Sequence, residues 1–195
     1  MISPGIGLIL LAGGQSRRMG QDKALLSFAG EPMVKRLLRR LDFDGNSIVL
    51  ISANQPEPYQ KWGIPVVADD LPGAGPLAGI QAGLRRSPCT FNLVVACDLP
   101  FASAAVARRL SQVAEDGDYD AVVPVCDGRA HPLFSIYHRR LQGELDAFLQ
   151  EGKRRVGDFL DRVQTRYVTE SFPSQAFFNM NRPEDYRRAE AWEEE

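Results

Sequence analysis

The sequence predicts a doubly wound, three-layer α/β/α fold with a mainly parallel sheet. Short apolar runs alternate with amphipathic helical segments in the first part of the chain, which is the pattern of parallel strands covered by helices on both faces. The run 91–97 is almost wholly apolar, as expected of a central strand. Glycines or polar residues follow four of the predicted strands, and ligands bind at the carboxyl ends of strands in such sheets. We therefore expect one site at that edge.

The elements follow from apolar periodicity and from turn residues. In the first half we predict strands at 6–11, 47–53, 64–68 and 91–97, and helices at 31–41, after 56 or 58, at 80–86 and at 103–115. In the second half we predict strands at 119–125, 132–137, 166–169 and 177–180, and helices at 140–150, 155–163 and from 183 onwards. Segments 119–125 and 132–137 form either a hairpin or a longer excursion over the active face. The charges at 35, 36, 39 and 40 are interpreted as a solvated helix face.

Composition limits the classes of function. The chain has 195 residues, which predicts one domain, and a formal charge of −2, which gives no reason to expect nucleic acid as a partner. No apolar stretch is long enough for a membrane span, and no basic segment of the signal-peptide kind precedes the first strand. Cys89, Cys97 and Cys126 form no C-x-x-C pair, which is typical of a reducing compartment. We expect a cytoplasmic protein.

The loop after the first strand has the composition of a phosphate-binding site. Gly13, Gly14 and Gly20 allow backbone N–H groups to face one concavity, while Arg18 and Lys23 add positive charge. The spacing does not fit the P-loop, and the G-x-G at 5–7 stands at the start of the first strand rather than after it, so the dinucleotide fingerprint fails as well. We interpret this loop as the cradle of a nucleoside triphosphate, with Arg18 contacting the outer phosphates and Lys23 following the charge on the reacting phosphate.

Asp98 is the strongest candidate for a metal ligand. It follows the apolar strand 91–97, and Pro100 stiffens the turn behind it. Phosphoryl and nucleotidyl transfer both require Mg²⁺ to offset the charge of a triphosphate, and one or two carboxylates usually hold that ion. The competing interpretation of Asp98 is a helix cap or an Asx turn.

The segment LAGGQSRRMGQDK at 11–23 resembles the N-terminal signature of the nucleotidyltransferases, and it is closest to the molybdenum cofactor guanylyltransferases (MobA-type). Four further segments resemble motifs of the same family: C-D-x-P at 97–100, G-P-L-A-G at 75–79, G-x-R-R-V at 152–156 and N-x-N-x-P-E at 179–184. The resemblance implies the nucleotide-diphospho-sugar transferase type of fold. It also implies a Rossmann-like nucleotide-binding half at about 1–118 and a pterin-binding half at about 119–195.

The resemblance also implies an activity, which is Mg²⁺-dependent transfer of GMP from GTP to molybdopterin with release of pyrophosphate. The expected catalytic residues are Lys23, Arg18 and Asp98, and Asp98 is the expected metal ligand. The expected nucleotide contacts are Leu11, Ala12, Gly13, Gly14, Lys23, Asn54, Asp69, Asp70 and Asp98. Asn54 and Asp69 together have the donors and acceptors to read a guanine edge, and the sequence leaves Asp69 and Asp70 as alternatives. The expected pterin contacts are Arg154, Arg155, Asn179 and Asn181, whereas Lys153, Arg154 and Arg155 also fit a solvated turn.

Other functions remain open at this point. The same fold serves CTP-dependent molybdopterin cytidylyltransferases and sugar-phosphate nucleotidyltransferases, although Gly13 in the third place of LAGG favours the larger guanine base. A non-catalytic module that binds nucleotide, or that docks on molybdoenzymes, is a further alternative. An NAD-dependent dehydrogenase is the weakest, because the fingerprint fails. Besides GTP and molybdopterin, the resemblance implies other cofactor-biosynthesis proteins and apo-molybdoenzymes as partners.

Overall fold

The computed structural model describes residues 5–12, 25–43, 48–71 and 73–193. Its strands are β1 (Ile6–Leu11), β2 (Ser27–Phe28), β3 (Glu31–Pro32), β4 (Val49–Ser52), β5 (Val66–Val67), β6 (Phe91–Ala96), β7 (Ala121–Cys126), β8 (Arg129–Ala130), β9 (Phe134–His138) and β10 (Thr165–Val168). Its α-helices are α1 (Met33–Arg40), α2 (Pro76–Arg86), α3 (Ala104–Glu115), α4 (Gln142–Gln150), α5 (Val156–Leu160) and α6 (Pro183–Glu193). Short 3₁₀ helices cover Glu57–Trp62, Arg139–Leu141 and Ser174–Phe177.

One mainly parallel sheet organises the described part of the chain. Its strand order is β10-β7-β9-β6-β1-β4-β5, and β8 pairs with β7 beside this path. Strands β6, β1, β4 and β5 are parallel, and β10 is parallel to β7. Strand β9 lies antiparallel between β6 and β7, so all other strands of the path end at the same edge of the sheet. Strands β2 and β3 form a separate hairpin.

Two apolar clusters cover the two faces of the sheet and produce the three layers. One contains the buried faces of α1 and α3 together with Ala189 of α6, and the other contains those of α2, α4 and α5. Successive residues of β1 alternate between them, since Leu8 and Leu10 belong to the first cluster and Ile9 and Leu11 to the second. The predicted three-layer α/β/α class is therefore confirmed. Among the described residues, no helix combines the length and the apolar character that crossing a membrane requires.

Several local predictions need correction. The predicted strand at 177–180 is wrong: residues 174–177 form a 3₁₀ helix, and Met180 donates its backbone N–H to the loop after β6 rather than to a strand. The interpretation of all four α1 charges as solvated is also wrong, because Arg36 is only 1% exposed. Helix α2 begins at Pro76 rather than at 80. Of the two alternatives for 119–125 and 132–137, the antiparallel pairing is observed: β9 pairs with β7 on one side, and it also pairs with β6 on the other.

Candidate active site

Four strands end side by side at one edge of the sheet. The backbone N–H of Cys97 donates to the carbonyl oxygen of Leu11 at 3.1 Å, and Ala12 N–H donates to Ser52 O at 2.9 Å. Ala53 N–H continues the row to Val67 O at 3.0 Å. The residues that follow β6, β1, β4 and β5 are therefore immediate neighbours, as the rule for the carboxyl ends of parallel strands predicts.

The turn that follows β6 carries Asp98, which is half-buried. Each of the five successive backbone carbonyls of this turn, residues 98–102, accepts a hydrogen bond. The donors, in order, are Met180 N to Asp98 O (2.8 Å), Ala102 N to Leu99 O (3.2 Å), Arg36 Nε to Pro100 O (2.8 Å), Arg40 Nη2 to Phe101 O (3.4 Å) and Arg40 Nε to Ala102 O (3.2 Å). We call residues 98–102 the Asp98 turn. Because every carbonyl is engaged, the backbone that carries Asp98 is held from several elements.

Asn54 and Asp69 form a reciprocal pair at the ends of β4 and β5. The backbone N–H of Asp69 donates to Asn54 Oδ1 at 3.0 Å, and Asn54 Nδ2 donates to Asp69 Oδ2 at 3.3 Å. Ser52 Oγ donates to the other carboxylate oxygen at 3.2 Å. Burial raises the pKa of Asp69, the two side-chain hydrogen bonds partly lower it, and the charge of Asp70 raises it further. The pair thus presents fixed amide and carboxylate groups toward the shared edge of the sheet.

The structure distinguishes the two consecutive acids. Asp69 joins Asn54 and Ser52, whereas Asp70 is exposed and forms an ion pair with Arg85 of α2. Arg85 also contacts Asp146 of α4 at 2.8 Å. Asp70 therefore belongs to a surface network between α2 and α4, and Asp69 is the one of the two that faces the neighbouring strand end.

Gly79 fits closely beside this pair. A Cβ atom at Gly79 would lie 2.6 Å from Ser52 Oγ, 3.0 Å from Leu11 Cδ2 and 3.6 Å from Asp69 Oδ1. The G-P-L-A-G segment therefore needs its last glycine so that α2 can approach the ends of β1 and β4. This packing role connects the segment to Asp69 through Ser52.

The predicted phosphate cradle falls mostly outside the described residues. Leu11 and Ala12 are described, and each is 8% exposed at the end of β1. Gly13, Gly14, Arg18 and Lys23 lie outside the described ranges, so their assignments remain predictions.

The expected pterin contacts lie in two segments. Asn179 and Asn181 are exposed and flank Met180, whose N–H bonds to the Asp98 turn. Asn181 N–H also donates to Asp185 Oδ2 at 2.9 Å, at the start of α6. The segment is therefore next to the end of β6, although each assignment to the pterin remains a prediction.

Arg154 and Arg155 differ in their surroundings. Arg154 Nη1 donates to the carbonyls of Leu149 and Lys153, each at 2.7 Å, and so closes the carboxyl end of α4. The side chain of Arg155 is 85% exposed, and its nearest acid is Asp158 at 3.7 Å. This exposure fits the interpretation as a solvated turn, and it is also the exposure that a cation needs to meet an incoming anion.

The segment 152–156, which follows α4, lies toward the same end of α2 as the G-P-L-A-G segment. Gln142, at the start of α4, donates to Leu84 O near the end of α2 at 2.7 Å. Asp146, one turn later, contacts Gln81, one turn earlier. The two helices are therefore antiparallel, and the end of α4 lies toward Pro76, where α2 begins.

Two residues near this edge, Ser52 and His131, are not among the site residues that the sequence predicts. Ser52 is the last residue of an otherwise apolar strand, and this polar break was the signal that could have identified it. His131 precedes β9. The start of β9 lies beside the end of β6, next to the Asp98 turn, since Ala96 N–H donates to Leu133 O at 2.9 Å. The His131 ring stacks on Phe177 with centroids 4.3 Å apart, and burial lowers its pKa.

Within the described residues, few protein side chains are available to bind a metal at this site. In the described ranges, no three His, Cys, Asp or Glu side chains come together as a preformed metal cluster. A single carboxylate at a strand end suits Mg²⁺, which keeps several waters and is bound through one or two carboxylates together with substrate phosphates. The donor set around Asp98 therefore fits an ion that arrives with a triphosphate.

This sheet, with its polar strand ends, is that of the nucleotidyltransferases. The structure of molybdopterin-guanine dinucleotide biosynthesis protein A from Archaeoglobus fulgidus superposes with a TM-score of 0.80 at 25% identity, over 96% of this chain and 98% of that one. The 2-C-methyl-D-erythritol 4-phosphate cytidylyltransferase of Thermus thermophilus has the same fold, with a TM-score of 0.72 at 19% identity over 96% of this chain and 98% of its own. The predicted nucleotide-diphospho-sugar transferase type is thereby confirmed.

The chain belongs to the MobA-like NTP transferase domain family, whose model matches residues 8–166. A probable molybdenum cofactor guanylyltransferase of Pelotomaculum thermopropionicum is 37% identical over 93% of this chain and 90% of its own length. A molybdenum cofactor guanylyltransferase of Mesorhizobium japonicum is also 37% identical, over 93% and 92%. The predicted family and the prediction of a nucleotidyltransferase enzyme are confirmed.

Proposed function

We propose that this nucleotidyltransferase transfers GMP from GTP to the phosphate of molybdopterin. A phosphate oxygen of the pterin forms a new bond to the α-phosphorus of GTP, the bond from that phosphorus to the β-phosphate bridging oxygen breaks, and pyrophosphate leaves. The observation that carries this proposal is the hydrogen bond from Cys97 N–H to Leu11 O, because it makes Asp98 and the start of the glycine-rich loop neighbours. The guanylyltransferases named above, similar over nearly the whole chain, support the choice of reaction.

The chain itself contributes positioning and charge rather than a nucleophile. Backbone N–H groups of the loop that begins at Ala12 would hold the phosphates, Arg18 would contact the β- and γ-phosphates, and Lys23 would stabilise charge that develops during attack. All three contributions act on phosphate oxygens. Preorganised charges of this kind are usually the largest single contribution to such catalysis.

Asp98 is our proposed ligand for Mg²⁺. When bound, the ion would offset the negative charge of the triphosphate and of the leaving pyrophosphate. The half-buried carboxylate at the end of β6 and its firmly held backbone support this role. The remaining ligands would be phosphate oxygens and waters.

Guanine selection is assigned to the pair of Asn54 and Asp69. The Asp69 carboxylate accepts from Ser52 and Asn54, and a carboxylate has further lone pairs for the ring N–H and the 2-amino group of guanine. The fold alone does not select the base, since a cytidylyltransferase has the same one. Selection therefore depends on local features such as this pair and Gly13.

The half of the chain from about 119 onward is our proposed pterin side. Asn179 and Asn181 flank the residue bonded to the Asp98 turn, and Arg155 offers an exposed cation for the acceptor phosphate. We also propose proteins of molybdenum-cofactor synthesis and apo-molybdoenzymes as partners, and the cytoplasm as the location.

Calorimetry and product analysis together test this function. Titration with GTP or CTP, each with Mg²⁺, should show tighter binding of GTP. Incubation with GTP and molybdopterin should yield a pterin product heavier by one GMP unit in mass spectrometry. A CMP adduct formed in preference would support a cytidylyltransferase instead, and nucleotide binding without any adduct would support a non-catalytic module. The Lys35→Ala variant, changed at an exposed position of α1, is a control that should behave as the wild type.

A further inference from the structure

Arg36 is a buried cation on α1, a helix that contributes no residue to the site at the strand ends. It is 1% exposed, and its guanidinium carbon lies 4.7 Å from the centre of the Phe28 ring and 5.7 Å from that of Phe101. Burying a charge is costly unless the group is paired and hydrogen-bonded. Its partners are therefore informative about why the charge is kept.

The hydrogen bonds of Arg36 lead directly to the Asp98 turn. Its Nε donates to Pro100 O at 2.8 Å, and its Nη2 is paired with Glu193 at the end of α6. Arg40, one turn further along α1, donates to Phe101 O and Ala102 O. Two arginines of one helix face thus hold three consecutive carbonyls of the turn.

The same arginine also approaches the hairpin that follows the glycine-rich loop. Arg36 Nη1 lies 3.8 Å from Glu31 of β3, and Met33 N–H donates to Leu26 O at 3.1 Å. Helix α1 therefore contacts both the chain that comes after Lys23 and the chain that carries Asp98. An arginine fork suits such bridging, because one planar group offers five donors in fixed directions.

We infer that Arg36 and Arg40 are positioning residues, which hold the carbonyls of the Asp98 turn and thereby orient the Asp98 carboxylate toward the metal and the triphosphate. This inference rests on the proposed function, in which Asp98 holds Mg²⁺. Groups that orient a metal ligand from behind commonly change metal affinity about 10- to 100-fold when they are removed. Both arginines would act through the backbone of the turn rather than directly on the substrate or the metal.

The test compares Arg40→Gln and Arg36→Lys with the matched control Arg108→Gln. Arg108, on α3, instead makes an ion pair with Asp42 at 2.8 Å, and Asp42 lies outside the Asp98 turn. Three readouts are taken on the full chain. They are the half-saturating Mg²⁺ concentration for pyrophosphate release, the affinity for Mn²⁺ by electron paramagnetic resonance with a non-hydrolysable GTP analogue, and the hydrogen exchange of the Ala102 and Met180 amides.

We expect both turn variants to need about 10-fold more Mg²⁺, to bind Mn²⁺ correspondingly more weakly and to exchange these amides faster. The Arg108→Gln variant should match the wild type in all three. Arg40 is partly exposed, so Arg40→Gln remains informative if an Arg36 variant does not fold. Normal Mg²⁺ and Mn²⁺ dependence in Arg40→Gln would overturn the inference while leaving the proposed function intact. A wild type that neither binds Mn²⁺ with the analogue nor releases pyrophosphate would refute the proposed function, and the inference with it.

Discussion

Met180 donates its backbone N–H to the carbonyl oxygen of Asp98 at 2.8 Å. The two residues are far apart in the sequence, and the bond fixes the segment around 179–181 beside the end of β6. The Asp98 turn therefore lies next to the segment of the two asparagines proposed to contact the pterin, and the preceding residue, Cys97, bonds to the end of β1. This position suits a residue that must act where the two substrates meet.

Asp98→Asn should lower the rate of pyrophosphate release by about 10²-fold or more, because an amide keeps the shape but loses the charge that holds the metal. The measurement is the steady-state rate at saturating GTP and molybdopterin over a range of Mg²⁺ concentrations. Asp116→Asn is the control, since Asp116 is exposed at the far end of α3. Equal rates in both variants would remove Asp98 from the mechanism.

Lys23→Ala should also reduce turnover, by about 10²-fold, since it removes a charge that acts on the phosphates in the transition state. Single-turnover kinetics with saturating GTP would separate this loss from weaker binding. The Lys35→Ala control removes a lysine from the exposed side of α1. Near-normal turnover in Lys23→Ala would contradict the proposed role.

Asp69 should make folding stability depend on pH in an unusual direction for a carboxylate. Burial raises its pKa above the ordinary value of 3.8, so the folded protein binds this proton more tightly than the unfolded chain does. The contribution of Asp69 to stability is therefore fully present below pH 3.8 and decreases as the pH rises through the raised pKa. Asp69→Asn does not titrate, so its melting temperature relative to the wild type should increase across that window. Asp116→Asn controls for the loss of an exposed carboxylate, and a difference that stays constant or falls would refute this prediction.

Gly79→Ala should destabilise the protein by about 1–3 kcal/mol, because the added methyl group would lie 2.6 Å from Ser52 Oγ. Ser52 can move aside only by disturbing its hydrogen bond to Asp69. Gly143→Ala, on α4 with no neighbouring atom within 4 Å of the new carbon, should instead gain up to about 1 kcal/mol of helix propensity. Urea denaturation measures both variants. Equal stability of the two would show that the contact at Gly79 relaxes without cost.

The shared edge at which these strand-end residues lie could be predicted from the sequence, because strand ends are local features. Asn54, Asp69 and Asp98 each follow an apolar run, and the parallel arrangement brings such residues together. What could not be predicted depends on tertiary contacts. The insertion of β9 between β6 and β7, antiparallel to both, does not change the apolar periodicity of the sequence. Which of the two acids, Asp69 or Asp70, turns toward the strand ends depends on the hydrogen bond from Ser52.

Arg36 illustrates the same limit in the helices. Its place among the charges of α1 favours a solvated face, and helical periodicity carries no sign that Phe28, Phe101 and α6 enclose it. In the same way, 177–180 has the apolar composition of a short strand, but Met180 finds its hydrogen-bond partner in the Asp98 turn. Long-range partners decide both cases, and they are not encoded in the local pattern.

The most direct test of guanylyl transfer is pyrophosphate release by the wild type with GTP or CTP, with and without molybdopterin, in the presence of Mg²⁺. Our account predicts rapid release only when GTP and molybdopterin are both present. Release that is faster with CTP, or release from GTP that does not depend on molybdopterin, would contradict it.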